Sequence, residues 1–167
     1  MIRQVLETFV ETARMQSTGT PQVLAMIHLV MLSLWGGVVA TEAVIELYPF
    51  RHREQHAATI RLHYWIDLLV EAPLVLAVAA TGGLLLLSID RITALHLVKV
   101  GFAGAAIAVN VFCIAVVVRR GRRLERGGEE ASLWRSSRIV LACFAVGLGC
   151  AAVAATLGFR LALARLG

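Results

Sequence analysis

His28, Trp35, Glu42 and Glu46 stand seven, seven and four residues apart inside a long apolar run. At about 100° per residue they fall within about 40° of one another on a helical wheel, so one stripe carries an imidazole, an indole and two carboxylates. A second ladder, His56, His63, Asp67 and Glu71, spans about 80°, and a third, His96, Lys99 and Asn110, about 60°. Imidazoles and carboxylates gathered in this way could ligate a metal ion, hold a haem iron or carry protons. Random polar intrusions would not be phased on three segments at once.

The elements that must position these groups are apolar helices. The 167-residue chain is 59% hydrophobic, and its mean hydropathy of +0.78 is high for a water-soluble domain. Apolar runs over residues 22–48, 58–87, 92–118 and 138–160 are each long enough to cross a bilayer, which takes about 20 residues. The expected fold is an all-α integral membrane protein: a four-transmembrane-helix up-down bundle over residues 21–167, preceded by an N-terminal amphipathic interfacial helix over residues 1–20. That first segment sets Ile2, Val5, Leu6, Phe9 and Val10 against Arg3, Glu7, Glu11 and Arg14. Ser17–Pro21 reads as the break after it, with Thr20 as N-cap. Pro73, beside Glu71, should kink the second span.

The net charge of +5 comes from fifteen arginines and one lysine, and the charges gather at helix ends. That distribution is membrane topology rather than nucleic-acid binding. Residues 119–138 read as a loop holding seven arginines against three glutamates, and the first connection carries Arg51, Arg53 and Arg61. By the positive-inside rule both basic connections are cytoplasmic and both termini outside, in the inner membrane of a bacterium. Cys113, Cys143 and Cys150 lie in apolar runs without a CxxC pair, so packing is their expected role. Partners beyond lipid would be a second copy of the chain or another membrane subunit.

Depth divides the polar groups into two layers. At about 1.5 Å per residue, His28 lies about 10 Å and His96 about 7 Å below their helix starts. Two imidazoles level on parallel, diagonal helices suit the axial ligands of haem b, with Trp35 against the ring or in the core. The inner layer of Glu42, Glu46, His63 and Asp67, with His56 as a further ligand, could hold Zn, Fe or Cu; its alternative is an ion-pair cluster with the neighbouring arginines. Glu71 and Lys99 are the deepest charges and are expected to pair, directly or through water, with a structural, proton-carrying or propionate-binding role.

The stripe His28-x6-Trp35-Gly36-Gly37, followed by Ala72-Pro73, Thr81-Gly82, and Lys99 with Asn110 before a basic helix end, resembles the CopD/HemJ superfamily of four-helix membrane proteins. The resemblance spans about residues 22–125. It implies that His28 corresponds to that family's helix-1 histidine and Lys99 to its helix-3 lysine, and that the activity is haem b binding with porphyrinogen oxidation, or copper handling; electron transfer and tetrapyrrole or quinol oxidation are the wider class open to a membrane haem protein. On these grounds the expectation is a haem or metal redox protein with Lys99 and Glu71 in catalytic roles. Metal transport or resistance is the alternative, and a structural subunit of a membrane complex the third.

Overall fold

The computed structural model describes the backbone of residues 2–89 and 91–163, with side chains from residue 22 onward, residue 162 excepted. The described residues form helices and no strands. Helix α1 runs Ile2–Leu47 and closes through a 3₁₀ turn, Tyr48–Phe50. The second hydrophobic segment is α2 (His56–Ile66), a π turn (Asp67–Glu71) and α3 (Ala72–Leu87). Helix α4 runs Ala94–Glu125 and α5 Glu130–Leu163. Among the described residues four helical segments are long and apolar enough to cross a membrane: Gln22–Phe50, Arg53–Leu87, Ala94–Glu125 and Glu130–Leu161.

Three features differ from the sequence expectation. Helix α1 passes through Ser17–Pro21 without a break, since the missing N–H of Pro21 leaves only one carbonyl short. Where the side chains of the first turns face lies outside the described residues. The arginine-rich stretch is not a loop: arginine is a good helix former, so α4 carries Arg119, Arg120, Arg122 and Arg123, and α5 begins eight residues before Arg138. The link between them is closed by a Schellman motif, with Gly127 at φ 69°, Gly128 N–H on the Arg123 carbonyl and Gly127 N–H on that of Leu124. Third, the second segment carries a π turn immediately before Pro73, in which the Ala72 N–H reaches back five residues to the Asp67 carbonyl. Single π turns inside α-helices are frequent at functional sites.

Helix α1 packs on α2, α3 and α5, and α4 packs on α2, α3 and α5, so α1 and α4 face each other across the bundle. Their approach leaves a core of Trp35, Val39, Val75, Val78, Ala106, Val117, Val140 and Phe144. Outward positions are aliphatic: Met26, Val44, Leu69 and Leu76 are each about two-thirds exposed or more (67–71%), a surface compatible with lipid contact. Two close approaches need glycine. A Cβ on Gly82 would stand 3.1 Å from the His28 ring, and one on Gly121 only 2.8 Å from the Tyr64 ring.

Candidate metal centre

Inside this apolar shell lies a polar cluster shut away from solvent. Glu42, Glu46, His63, Asp67 and Arg120 are each 0% exposed, and Glu71 is 1% exposed. Groups so costly to bury need partners, and half of the cluster has them. Arg120 forks onto Glu46: Nη1 donates to Oε1, and Nη2 to Oε2 at 2.9 Å. Nη1 also donates to Ser137 Oγ at 2.8 Å. The other Glu46 contact is His63 Nδ1, 2.7 Å from Oε2. Arg120 Nη2 also approaches His63 Nδ1, at 3.3 Å. A ring nitrogen cannot accept from the guanidinium and donate to the carboxylate together, and the shorter contact prevails. His63 Nδ1 therefore donates to Glu46, and Nε2 is the ring nitrogen left for the other side.

That nitrogen lies in the unpartnered half of the cluster. His63 Nε2, a Glu42 oxygen and an Asp67 oxygen lie within 4.8 Å of one another. His63 Nε2 is 3.2 Å from Asp67 Oδ1, yet the two are not aligned for a hydrogen bond. Both oxygens of Glu42, both of Asp67 and His63 Nε2 have no hydrogen-bond partner among the described residues. Five polar atoms thus converge, and none of them has a hydrogen-bond partner among the described residues. Phe144 stacks on His63 at 5.7 Å and roofs the site from α5.

The π turn sets this geometry. His63, Asp67 and Glu71 are four residues apart, and in a straight α-helix each step would advance about 40° around the axis. The wider π turn takes up that drift, so Asp67 and Glu71 both stay buried. Glu71 is met by neutral donors: Trp35 Nε1 at 3.3 Å and Asn110 Nδ2, both on Oε1. A direct bond from Lys99 is not among these contacts, and the Lys99 Nζ lies 3.4 Å from where a Cβ on Gly158 would be.

The remaining expected site residues separate from the cluster. His56 turns its Nε2 to Ser137 Oγ (3.1 Å) and stacks on Trp134 at 3.9 Å, outside the converging group. His28 Nδ1 meets Thr81 Oγ1 at 2.8 Å. His96 is the N3 residue of a capping box at the start of α4, with Nδ1 2.7 Å from Thr93 Oγ1 and 3.3 Å from the Thr93 amide nitrogen. Arg120 and Ser137 belong to the site although sequence reasoning assigned them to a connecting loop. The available signal was phase: Asn110, Val117 and Gly121 repeat at seven and four on the buried face of α4, and Arg120 adjoins them.

Comparison with known proteins adds no identity to this geometry: no family model, no curated protein and no solved structure matches the chain.

Proposed function

We propose that this chain is a multi-pass membrane metalloprotein that holds one divalent transition-metal ion between Glu42, His63 and Asp67. The observation that carries the reading is the convergence of Glu42, His63 and Asp67, five of whose polar atoms are fully buried without a hydrogen-bond partner, with the opposite nitrogen of His63 held by Glu46. A carboxylate on the outer nitrogen of a metal-binding histidine fixes the tautomer and raises the basicity of the ligand. Charge supports the same occupant. Arg120 neutralises Glu46, which leaves two carboxylates beside the imidazole, and a dication bound in place of any proton there balances them. The 3.2 Å between His63 Nε2 and Asp67 Oδ1 also fits two adjacent ligands of one ion, for which distances of about 2.1 Å to the metal give roughly 3.0–3.4 Å.

Oxygen and imidazole donors without thiolate favour Zn, Fe(II) or Mn(II) over Cu(I). Three protein ligands leave room for a further one, as in sites that do chemistry rather than sites that only brace a fold. Burial at 0% exposure, with Arg120 between the ligands and the basic helix ends, favours a resident ion over one in transit. By the positive-inside rule, the arginines at that end of the bundle support a cytoplasmic position for it. Haem between His28 and His96 is less well served. The Thr81 hydroxyl gives its hydrogen to the Ala77 carbonyl at 2.7 Å and so accepts from His28. The Thr93 N–H, by contrast, donates to His96 Nδ1, which puts the proton of the neutral ring on Nε2, where iron would bind.

Elemental analysis of the purified protein, with cobalt loading followed by its visible spectrum, tests the proposal. One equivalent of metal per chain is expected, lost in His63→Ala and Asp67→Asn and weakened about 10–100-fold in Glu46→Gln. A chain that neither retains nor takes up metal would instead share a proton among Glu42, His63 and Asp67, and the proposal would be wrong.

A further inference from the structure

Two thiols meet outside the carboxylate cluster. Helices α4 and α5 are antiparallel neighbours across their short link, and one close approach fixes their register: Val109 Cγ1 lies 3.6 Å from where a Cβ on Gly147 would be. One turn further from that contact on each helix stand Cys113 and Cys143. Both are free thiols, and Cys113 donates a hydrogen bond to Cys143. Both also lie on the wall of a cavity of 230 Å³ between α1, α4 and α5. Cys113 is 3% exposed, whereas Cys143 is only partly buried, so Cys143 is the thiol that an incoming group meets first. Cys150 is two turns away along α5, about 10 Å, too far to join the pair.

We infer that Cys113 and Cys143 form a site for a soft divalent metal ion of linear coordination, of the Hg(II) type, held between the two sulfurs as thiolates. Thiolate ligands select soft ions. The number of donors selects further. The remaining wall is aliphatic, aromatic or glycine except for Asn110, whose unpartnered oxygen is buried off the cavity. Zinc, which takes four ligands, and the hard cations, which take six or more oxygens, are therefore poorly served, whereas an ion content with two sulfurs is complete. Charge points the same way. Two thiols that lose their protons to a dication give a neutral complex, but a monovalent ion would leave a negative charge in an apolar wall. The charged groups nearest Cys113 are Asp67, Glu71 and Glu42, which would repel that charge. The balanced step with mercuric chloride, a neutral species that enters lipid, begins at Cys143 and closes on Cys113. Two S–H and two Hg–Cl bonds break, two Hg–S bonds form, and two equivalents of HCl leave; mercury stays divalent and nothing is oxidised.

The test uses the full chain in lipid nanodiscs under argon, with mercuric chloride as the probe and dialysis against glutathione as the competitor. One equivalent of mercury per chain is expected to stay bound, with two protons released and the mercury NMR signal of a two-coordinate bis-thiolate. Cys113→Ser and Cys143→Ser each leave one thiol of the pair and should weaken retention about 10²–10⁴-fold, the usual gain from a second attachment. Cys150→Ser should change nothing. Either single variant tests the chelate if the other does not fold, and the NMR signal of the unaltered protein tests it without any substitution. No retention, retention unchanged in Cys113→Ser or Cys143→Ser, or a mercury signal of higher coordination would each overturn the inference. Zinc titrated in parallel separates this site from the carboxylate centre: its uptake should be indifferent to both cysteine substitutions, and zinc uptake lost with either thiol would overturn the two-coordinate assignment. The mercury readout does not involve Glu42, His63 or Asp67, so failure of the metal centre proposed there leaves it intact.

Discussion

Arg120 should be worth far more to this fold than an arginine at a membrane edge. It is 0% exposed, and its guanidinium gives two hydrogen bonds to Glu46 and one to Ser137. Arg120→Met keeps most of the stem volume and removes the charge, leaving Glu46 buried with His63 as its remaining partner. Removing one member of a buried ion pair costs about 3–5 kcal/mol, because the other charge is left uncompensated. Replacing both is different: Arg120→Met with Glu46→Leu removes both desolvated charges, and such exchanges are often neutral. The double variant should therefore recover to within about 1 kcal/mol of the parent, less about 1 kcal/mol for the lost hydrogen bond of His63. Metal binding should not recover with it, because Glu46 also orients His63, and loss of that support costs about 10–100-fold in affinity. Reversible unfolding in mixed micelles gives the stabilities, and cobalt titration of the same samples gives the affinities. The reasoning fails if Arg120→Met lies within 1 kcal/mol of the parent, or if the double variant is as unstable as the single one.

Two further outcomes follow from local packing and capping. Gly121→Ala should cost about 1–3 kcal/mol by overpacking, since its Cβ would stand 2.8 Å from Tyr64, whereas Gly101→Ala, where nothing lies within 4 Å, should be neutral or mildly stabilising; equal effects in unfolding experiments would contradict the close α2–α4 approach. Thr93→Ala removes the N-cap of α4 and should cost about 1 kcal/mol, read most directly as faster hydrogen exchange at the His96 amide; unchanged exchange there would mean that the capping box does not hold that helix end.

The polar stripes were legible because an ionisable residue in an apolar run is conspicuous, and spacing alone fixes its face. Glu42, His63, Asp67 and Glu71 were set on inward stripes by that reasoning, and the structure buries all four. What spacing cannot supply is the partner. Spacing sets His28 and His96 at similar depths below the starts of their apolar runs, but depth does not say which atom each ring engages. A threonine three residues before His96 is itself a capping pattern, with the imidazole in the place that glutamate or glutamine often takes, and it accounts for that ring without a cofactor. The arginine-rich stretch misled for a similar reason. A run of arginines reads as an interfacial loop by charge, although each is a good helix former and one of them, a turn after the buried Val117, is drawn inward. Ser137 was hidden in the same stretch.

The π turn left the faintest trace in the sequence and has the widest consequence. Pro73 announces a missing donor, which a kink satisfies as well as a widened turn does. Only the demand that His63, Asp67 and Glu71 all stay buried distinguishes the two, and that demand comes from groups on α1 and α4, distant in sequence. The carboxylates thus divide by what meets them. Glu46 is bound by Arg120 and His63, and Glu71 by Trp35 and Asn110, while Glu42 and Asp67, between those two, are met by no donor among the described residues. A cluster kept only to hold helices together would be expected to satisfy its members evenly. Here five of the seven buried side-chain atoms without a partner among the described residues belong to Glu42, His63 and Asp67, the other two being Arg120 Nε and Asn110 Oδ1, and that concentration on three adjacent side chains is what the proposed cation would use.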